Sequence, residues 1–237
     1  MLRSNAILVL SIQLIQTQFY VKRGWTKVPA LKSSLSCPQS DFKLQDWPNR
    51  PVTQPLSGKN IPALCERDVE NIKLNFQERP IGINEVLMAV LPTADLVSWQ
   101  HDRGDFTSLN INGKTPESHG TICESGDSWL YWHHEFKKQA LGIQRVHTSS
   151  LETQRSVEVL ASLLFDALKE ANNSKLPEVF VWNPSPGLLQ AMEYLKEKMG
   201  VEVESKVQIG SVTSVRLRGS DQSRELKLQL NEHYAWS

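Results

Sequence analysis

Histidines, carboxylates and aromatic side chains stand in this chain at spacings that could do chemistry. His133, His134 and Glu135 are consecutive, like a metal-ligand cluster. Adjacent side chains of a strand point to opposite faces, so the two imidazoles cannot share one ion and no metal is expected. His101 and Asp105 are four residues apart, which on a helix brings an imidazole to a carboxylate. A solvated surface pair is expected there rather than a catalytic dyad. Trp129, Tyr131 and Trp132 crowd one short segment. They read as core or interface aromatics before a ligand cage, and the interface reading is preferred. Asn183, just ahead of Pro184-Ser185-Pro186, is expected to bond backbone at a strand-to-helix turn.

Bulk composition excludes several classes of function. Lys plus Arg and Asp plus Glu number 26 each, so the formal net charge is zero. No broad field recruits nucleic acid or an anionic membrane. The cysteines, Cys37, Cys65 and Cys123, are odd in number and far apart, which favours a reducing compartment and a cytoplasmic protein. Arg3 followed by apolar residues 6–12 offers the alternative of a secreted protein, with residues 1–20 as a signal peptide. That run is far short of the ~20 residues a membrane span needs, and no small-x-small cleavage site follows it. Leu8, Ile12, Ile15 and Phe19 fall at helical spacing, so a packed helix is expected instead.

The elements that must position these residues follow from periodicity. Residues 1–29 read as a helix stopped at Gly24 and then a strand. Residues 30–59 hold Pro38, Pro48, Pro51 and Pro55 and read as a Pro-rich extended linker, pinned by Phe42, Leu44 and Trp47. Residues 60–237 read as one domain. Cys65, Val69, Ile72 and Phe76 draw a helical stripe, and residues 86–91 a strand buried on both faces. Leu96, Trp99 and Phe106 share one face of a helix that Thr93 can cap, although Gly104 weakens it. Strands at 121–124, 129–134 and 141–146 come next, then a long helix over 151–172 with Ser149 and Glu152 as a capping box. A strand at 179–182, a helix ending at Met199 before Gly200, and strands at 201–209, 212–217 and 226–230 finish the chain. The fold class is α/β (α+β), with a mixed central sheet flanked by helices: hairpins at either end and crossover helices that require parallel neighbours near the middle.

Five motifs in order carry a family resemblance: Phe19-Tyr20 with Gly24-Trp25, residues 99–106 (WQHDRGDF), Trp129-Leu130-Tyr131-Trp132, residues 181–186 (VWNPSP) and residues 231–237 (NEHYAWS). Together with the element order they resemble the fungal L-lysine N6-acetyltransferase family of the GNAT superfamily. The resemblance implies that an N-terminal GNAT domain uses acetyl-CoA to acetylate the side-chain amine of lysine, with a GNAT-like C-terminal domain packed on it. It places residues 1–29 as the last helix and strand of the first domain, and 60–237 as the second. It implies Tyr20 as a general acid toward the leaving thiolate, if the rest of the catalytic domain is supplied. It also implies Trp99, His101, Arg103, Trp132, Asn231 and Tyr234 as substrate-binding or domain-interface residues.

Acetyl transfer needs a grip on the coenzyme diphosphate, supplied by backbone N–H groups of a glycine-rich turn at a helix N-terminus. The corresponding residues are 147–152 (HTSSLE), which lack glycine and add the negative charge of Glu152. No acetyl-CoA is therefore expected on this chain alone, and no residue is assigned to deprotonate an acceptor amine. Its expected partner is a catalytic GNAT domain, or a second copy met through residues 1–29, whose apolar side chains would otherwise be exposed.

Overall fold

Strands buried on both faces stand in the middle of the main sheet, and exposed ones at its edges. The computed structural model describes residues 8–13, 17–36, 47–149, 154–207, 211–217 and 224–235. In chain order they form β1 (Leu8–Gln13), α1 (Thr17–Val21), β2 (Thr26–Val28), β3 (Leu31–Ser36), β4 (Thr53–Leu56), α2 (Ile61–Glu78), β5 (Glu85–Met88) and α3 (Ala94–Asn112). Next come β6 (Gly120–Cys123), β7 (Ser128–Glu135), β8 (Ala140–Thr148), α4 (Gln154–Asn173), β9 (Glu178–Trp182) and α5 (Pro186–Met199). The last strands are β10 (Val203–Val207), β11 (Ser211–Arg216) and β12 (Glu225–Leu228), followed by a 3-10 turn at His233–Ala235. The chain has the α/β class read from its sequence, with a mixed central sheet flanked by helices.

The seven-stranded sheet runs β10-β3-β9-β8-β7-β6-β4. Only β8 and β9 are parallel within it, because α4 is the crossover between them. On one face α4 lays Leu160, Leu164 and Leu168, and α5 Leu188, Met192 and Leu195, against Leu130, Trp132, Leu141 and Val181. On the other face α2 and α3 bury Leu64, Cys65 and Val97 against Trp129 and Tyr131. Helix α5 starts as its sequence requires: Ser185 Oγ accepts from the Leu188 N–H and Pro186 supplies a preset φ at the first turn.

Three expectations need correction. Residues 8–13 are a strand paired antiparallel with β11, from Leu8 opposite Arg216 to Gln13 opposite Ser211, and the helix is confined to Thr17–Val21. An apolar run this short fits either period, and the available partner strand decides it; Ile15 lies outside the described residues. Residues 30–59 are not simply a linker, since they contribute β3 and β4. Strand β3 sits between β9 and β10, and its Leu35 is fully buried. Pro55 is tolerated because β4 is an edge strand. Trp47 does pin the segment, 6.0 Å from the Phe165 ring and 5.6 Å from Tyr194, whereas Phe42 and Leu44 lie outside the described residues. Among the described residues, 86–91 do not enter the main sheet, and β5 pairs with β12, in parallel.

Helix α3 turns the face that carries Trp99 and Phe106 outward. Its apolar Trp99 and Phe106 are 54% and 70% exposed, while Gln100, His101, Gly104 and Ser108 face inward. Gly104 makes that orientation possible: a Cβ there would lie 3.1 Å from the carbonyl oxygen of His134 on β7. Helix and strand approach at backbone distance, and the inward polar groups find partners.

A reciprocal seating joins the two ends of the chain. Strand β3, from the N-terminal part, completes the large sheet, while β11, from the C-terminal part, lies between β1 and β2 in a three-stranded sheet. Leu35→Ala is expected to destabilise the protein by about 2–5 kcal/mol, as for a large core side chain truncated to a methyl. Urea unfolding monitored by tryptophan fluorescence measures it; a loss below about 1 kcal/mol would mean that β3 is a peripheral tie.

Candidate functional site

Strand β8 carries a bulge that shapes the cleft beside it. Tyr131 pairs with Arg145 and Trp132 with Ile143, so Gln144 is the extra residue. The bulge lets Gln144 and Arg145 both reach the side of the sheet covered by α2 and α3. Pairing with β9 covers Ala140 to Ile143 and stops there. Beyond that point the parallel strands part, and a cleft of about 600 Å³ opens, lined by Arg145, His147, Trp182, Asn183, Asn231 and Glu232 among others.

Arg145 fills the floor of this cleft. Its Nε and Nη2 donate to the two carboxylate oxygens of Asp68 on α2, at 2.8 and 3.0 Å. Its Nη1 donates to Glu232 Oε1 at 2.6 Å. Burial works against the charge of Arg145, but Glu232 and the bidentate Asp68 outweigh it and hold the guanidinium protonated. Burial pushes the Glu232 carboxyl up, against the opposing pull of Arg145. The segment after β12 straps across the opening: Glu232 is held on β8 through Arg145, and the Asn231 carbonyl accepts from Asn183 Nδ2 at the end of β9.

Asn183 is structural, as its sequence context suggested. Its φ of +48° is a left-handed conformation that asparagine tolerates. Its Oδ1 accepts from the Leu31 N–H, and its own N–H donates to the Leu31 carbonyl. Asn231 Oδ1 accepts from Thr213 on β11. These few hydrogen bonds tie both sheets to the strap.

Beside the cleft lies a buried polar network. Gln100 Nε2 donates to the Tyr234 carbonyl, Gln144 Nε2 donates to Gln100 Oε1, and Gln144 Oε1 pairs with His101 Nε2 at 2.7 Å. The Tyr234 hydroxyl donates to the Val90 carbonyl at 2.6 Å. Burial, and then the neighbouring His119, push the pKa of His101 down to about 3. His133 stacks on His233 with ring centroids 4.9 Å apart, closed in by Phe180.

The residues proposed from sequence are distributed over four places. His101, Asn231 and Tyr234 come together through the network and the strap. Trp99 and Arg103 stay on the outer side of α3, where the guanidinium lies 5.2 Å from the indole centroid and donates to Glu135. Trp132 is 1% exposed under α4, with its Nε1 donating to the Ser118 carbonyl. Tyr20 is on α1, edge-on to Trp25 at 5.8 Å, and is not among the residues lining the cleft. The interface reading of Trp129, Tyr131 and Trp132 is corrected, since all three are at most 1% exposed and alternate between the two cores. His101 is likewise no solvated partner of Asp105, which pairs with His119 instead. His133 and His134 do face opposite sides, His134 reaching Glu170 on α4. The capping residue Glu152, with residues 150–152 of the expected coenzyme turn, lies outside the described residues. Arg145, Asp68 and Glu232 escaped sequence reasoning because they are 77 and 87 residues apart and follow no motif.

Comparison with known proteins agrees with this architecture. Residues 34–237 match the family described as the LYC1 GNAT-like C-terminal domain. A lysine acetyltransferase of Yarrowia lipolytica is 23% identical over 127 residues, covering 54% of this chain and 31% of that protein. An uncharacterized protein of Saccharomyces cerevisiae is 24% identical over 154 residues, covering 63% of this chain and 38% of that protein. The chain thus spans about a third of the length of the curated relatives it matches. Among solved structures, a GCN5-related N-acetyltransferase from Sphaerobacter thermophilus is similar over 96% of this chain and 64% of that one, at 13% identity and a TM-score of 0.45.

The buried imidazoles make stability depend on acid. Burial and its imidazole neighbour hold His133 well below its ordinary value, and burial with nearby cations takes His233 to about 3. Above the unfolded pKa of ~6.5 both are neutral in either state and their packing contributes fully. As pH falls from there toward 3, the unfolded chain takes up protons that the folded chain refuses. Each group then costs up to about 1.4 kcal/mol per pH unit. The urea midpoint should be lower at pH 5 than at pH 7.5, and His233→Phe should narrow the difference; equal midpoints would contradict the neutral stacked pair.

Proposed function

Because the chain belongs to the family of LYC1 GNAT-like C-terminal domains, we propose that it serves as the non-catalytic GNAT-like domain of a lysine-acetyltransferase-type protein. The observation that carries this reading is the strap. In the parted β8–β9 edge, the protein's own Asn231 and Glu232 bridge the two strands through Asn183 and Arg145.

An acetyl-CoA molecule brings a polyanionic diphosphate and needs free donors. Arg145, the cation of the cleft floor, has its Nε, Nη1 and Nη2 already bonded to Asp68 and Glu232. The residues present do not fit the coenzyme, so no transfer step is routed through this domain. Acetyl transfer from acetyl-CoA to a lysine side-chain amine then rests with a different domain of such a protein. Tyr20 would act as a general acid only in that domain's company. Arg145 acts here as a tie between α2, β8 and the strap.

Isothermal titration of the chain with acetyl-CoA is expected to show no saturable binding up to millimolar coenzyme; saturation would overturn the proposal. Arg145→Ala is expected to cost about 3–5 kcal/mol of stability, because it leaves the Asp68 carboxylate buried without its partner. Chemical denaturation reads this directly, and a near-neutral result would remove the structural role given to Arg145.

A further inference from the structure

Helix α3 shows solvent an ordered surface that its own fold leaves uncovered. Asp95, Trp99, Asp102, Phe106 and Leu109 recur at steps of four, three, four and three, so they form one stripe along the helix. Trp99, Phe106 and Leu109 are 54%, 70% and 52% exposed. The stripe cannot turn inward, because Gln100, His101 and Gly104 lock the opposite face onto the sheet and the C-terminal turn. Arg103 stands beside the stripe with its side chain 39% exposed, stacked on Trp99 and anchored by Glu135. The aromatic and charged groups are therefore held in place before any partner arrives.

We propose that this face is covered by the same face of a second copy of the chain, with the two α3 helices antiparallel about a two-fold axis between residues 102 and 103. Charge complementarity selects this arrangement. In that register Trp99 of one copy meets Phe106 of the other, and Asp102 meets Arg103. Two-fold symmetry makes each contact twice. A parallel pairing would instead set Asp95 against Asp95 and Asp102 against Asp102, placing like charges in contact. The centre then holds four aromatic rings and two ion pairs, the tryptophan- and arginine-rich composition of interface hot spots. A single four-turn stripe is below the standard interface size, so the dimer is a reversible, concentration-dependent one.

Sedimentation velocity of the 237-residue chain over a wide concentration range tests this without any coenzyme. A monomer–dimer equilibrium is expected, and Phe106→Glu should weaken it roughly tenfold or more with the thermal midpoint unchanged. Register is read by mixing Trp99→Cys with Phe106→Cys under mild oxidation. The mixture should cross-link, and neither variant alone should exceed the unsubstituted chain. A chain that stays monomeric throughout, as when another domain covers α3, would overturn the proposal. So would a dimer that Phe106→Glu leaves intact but removal of residues 1–29 abolishes, or cross-linking without preference for the mixture.

Discussion

Burying one guanidinium between two carboxylates shapes much of what surrounds it. Arg145 is brought to α2 by the extra residue in β8, and its pairing with Asp68 fixes that helix on the sheet. Its third donor holds Glu232, which positions the strap. The strap in turn carries Asn231 to Asn183 and Thr213, and so to both sheets. Such a triad is costly to desolvate and is retained only where its geometry satisfies every charge. The parting of β8 from β9 and the closing of the gap are thus two sides of one arrangement.

The polar seam continues along the same face. Gln144, the bulged residue, hands hydrogen bonds to Gln100 and His101, and Gln100 holds Tyr234. A seam of amides and neutral imidazoles inside a core specifies a unique docking of α3 where greasy side chains would allow sliding. Its cost appears on the outer side of the helix, where Trp99 and Phe106 are left to solvent.

Much of the architecture was legible in the sequence, for reasons that also explain the failures. Long periodic segments such as α4, and α5 with Ser185, Pro186 and Gly200 at its ends, declare themselves locally. So do β7, β8 and β9, where apolar runs meet turn residues. Strands β1 and β3 were missed because each is six residues long and takes its identity from a partner more than a hundred residues away. The inward face of α3 was not legible because hydrophobic patterning assumes an apolar interior, whereas this helix docks by Gly104 and hydrogen bonds. At the candidate site, Asn231 and Tyr234 were flagged by resemblance, but Arg145, Asp68 and Glu232 form a constellation only after folding.

The reciprocal seating of β3 and β11 has a consequence for how the chain is made. Strand β3 finds its neighbours only in residues 178–182 and 203–207, about 150 residues later. At roughly 5–20 residues per second on a ribosome, its apolar Leu35 waits on the order of ten to thirty seconds for the strands that will flank it. The main sheet therefore cannot be extended past β9 until residues 178–182 have emerged. Strand β3 can then pair on the open edge of β9, and β10 adds on its far side; until β9 is made, the nascent protein presents an unpaired strand to whatever chaperone or stray edge is nearby.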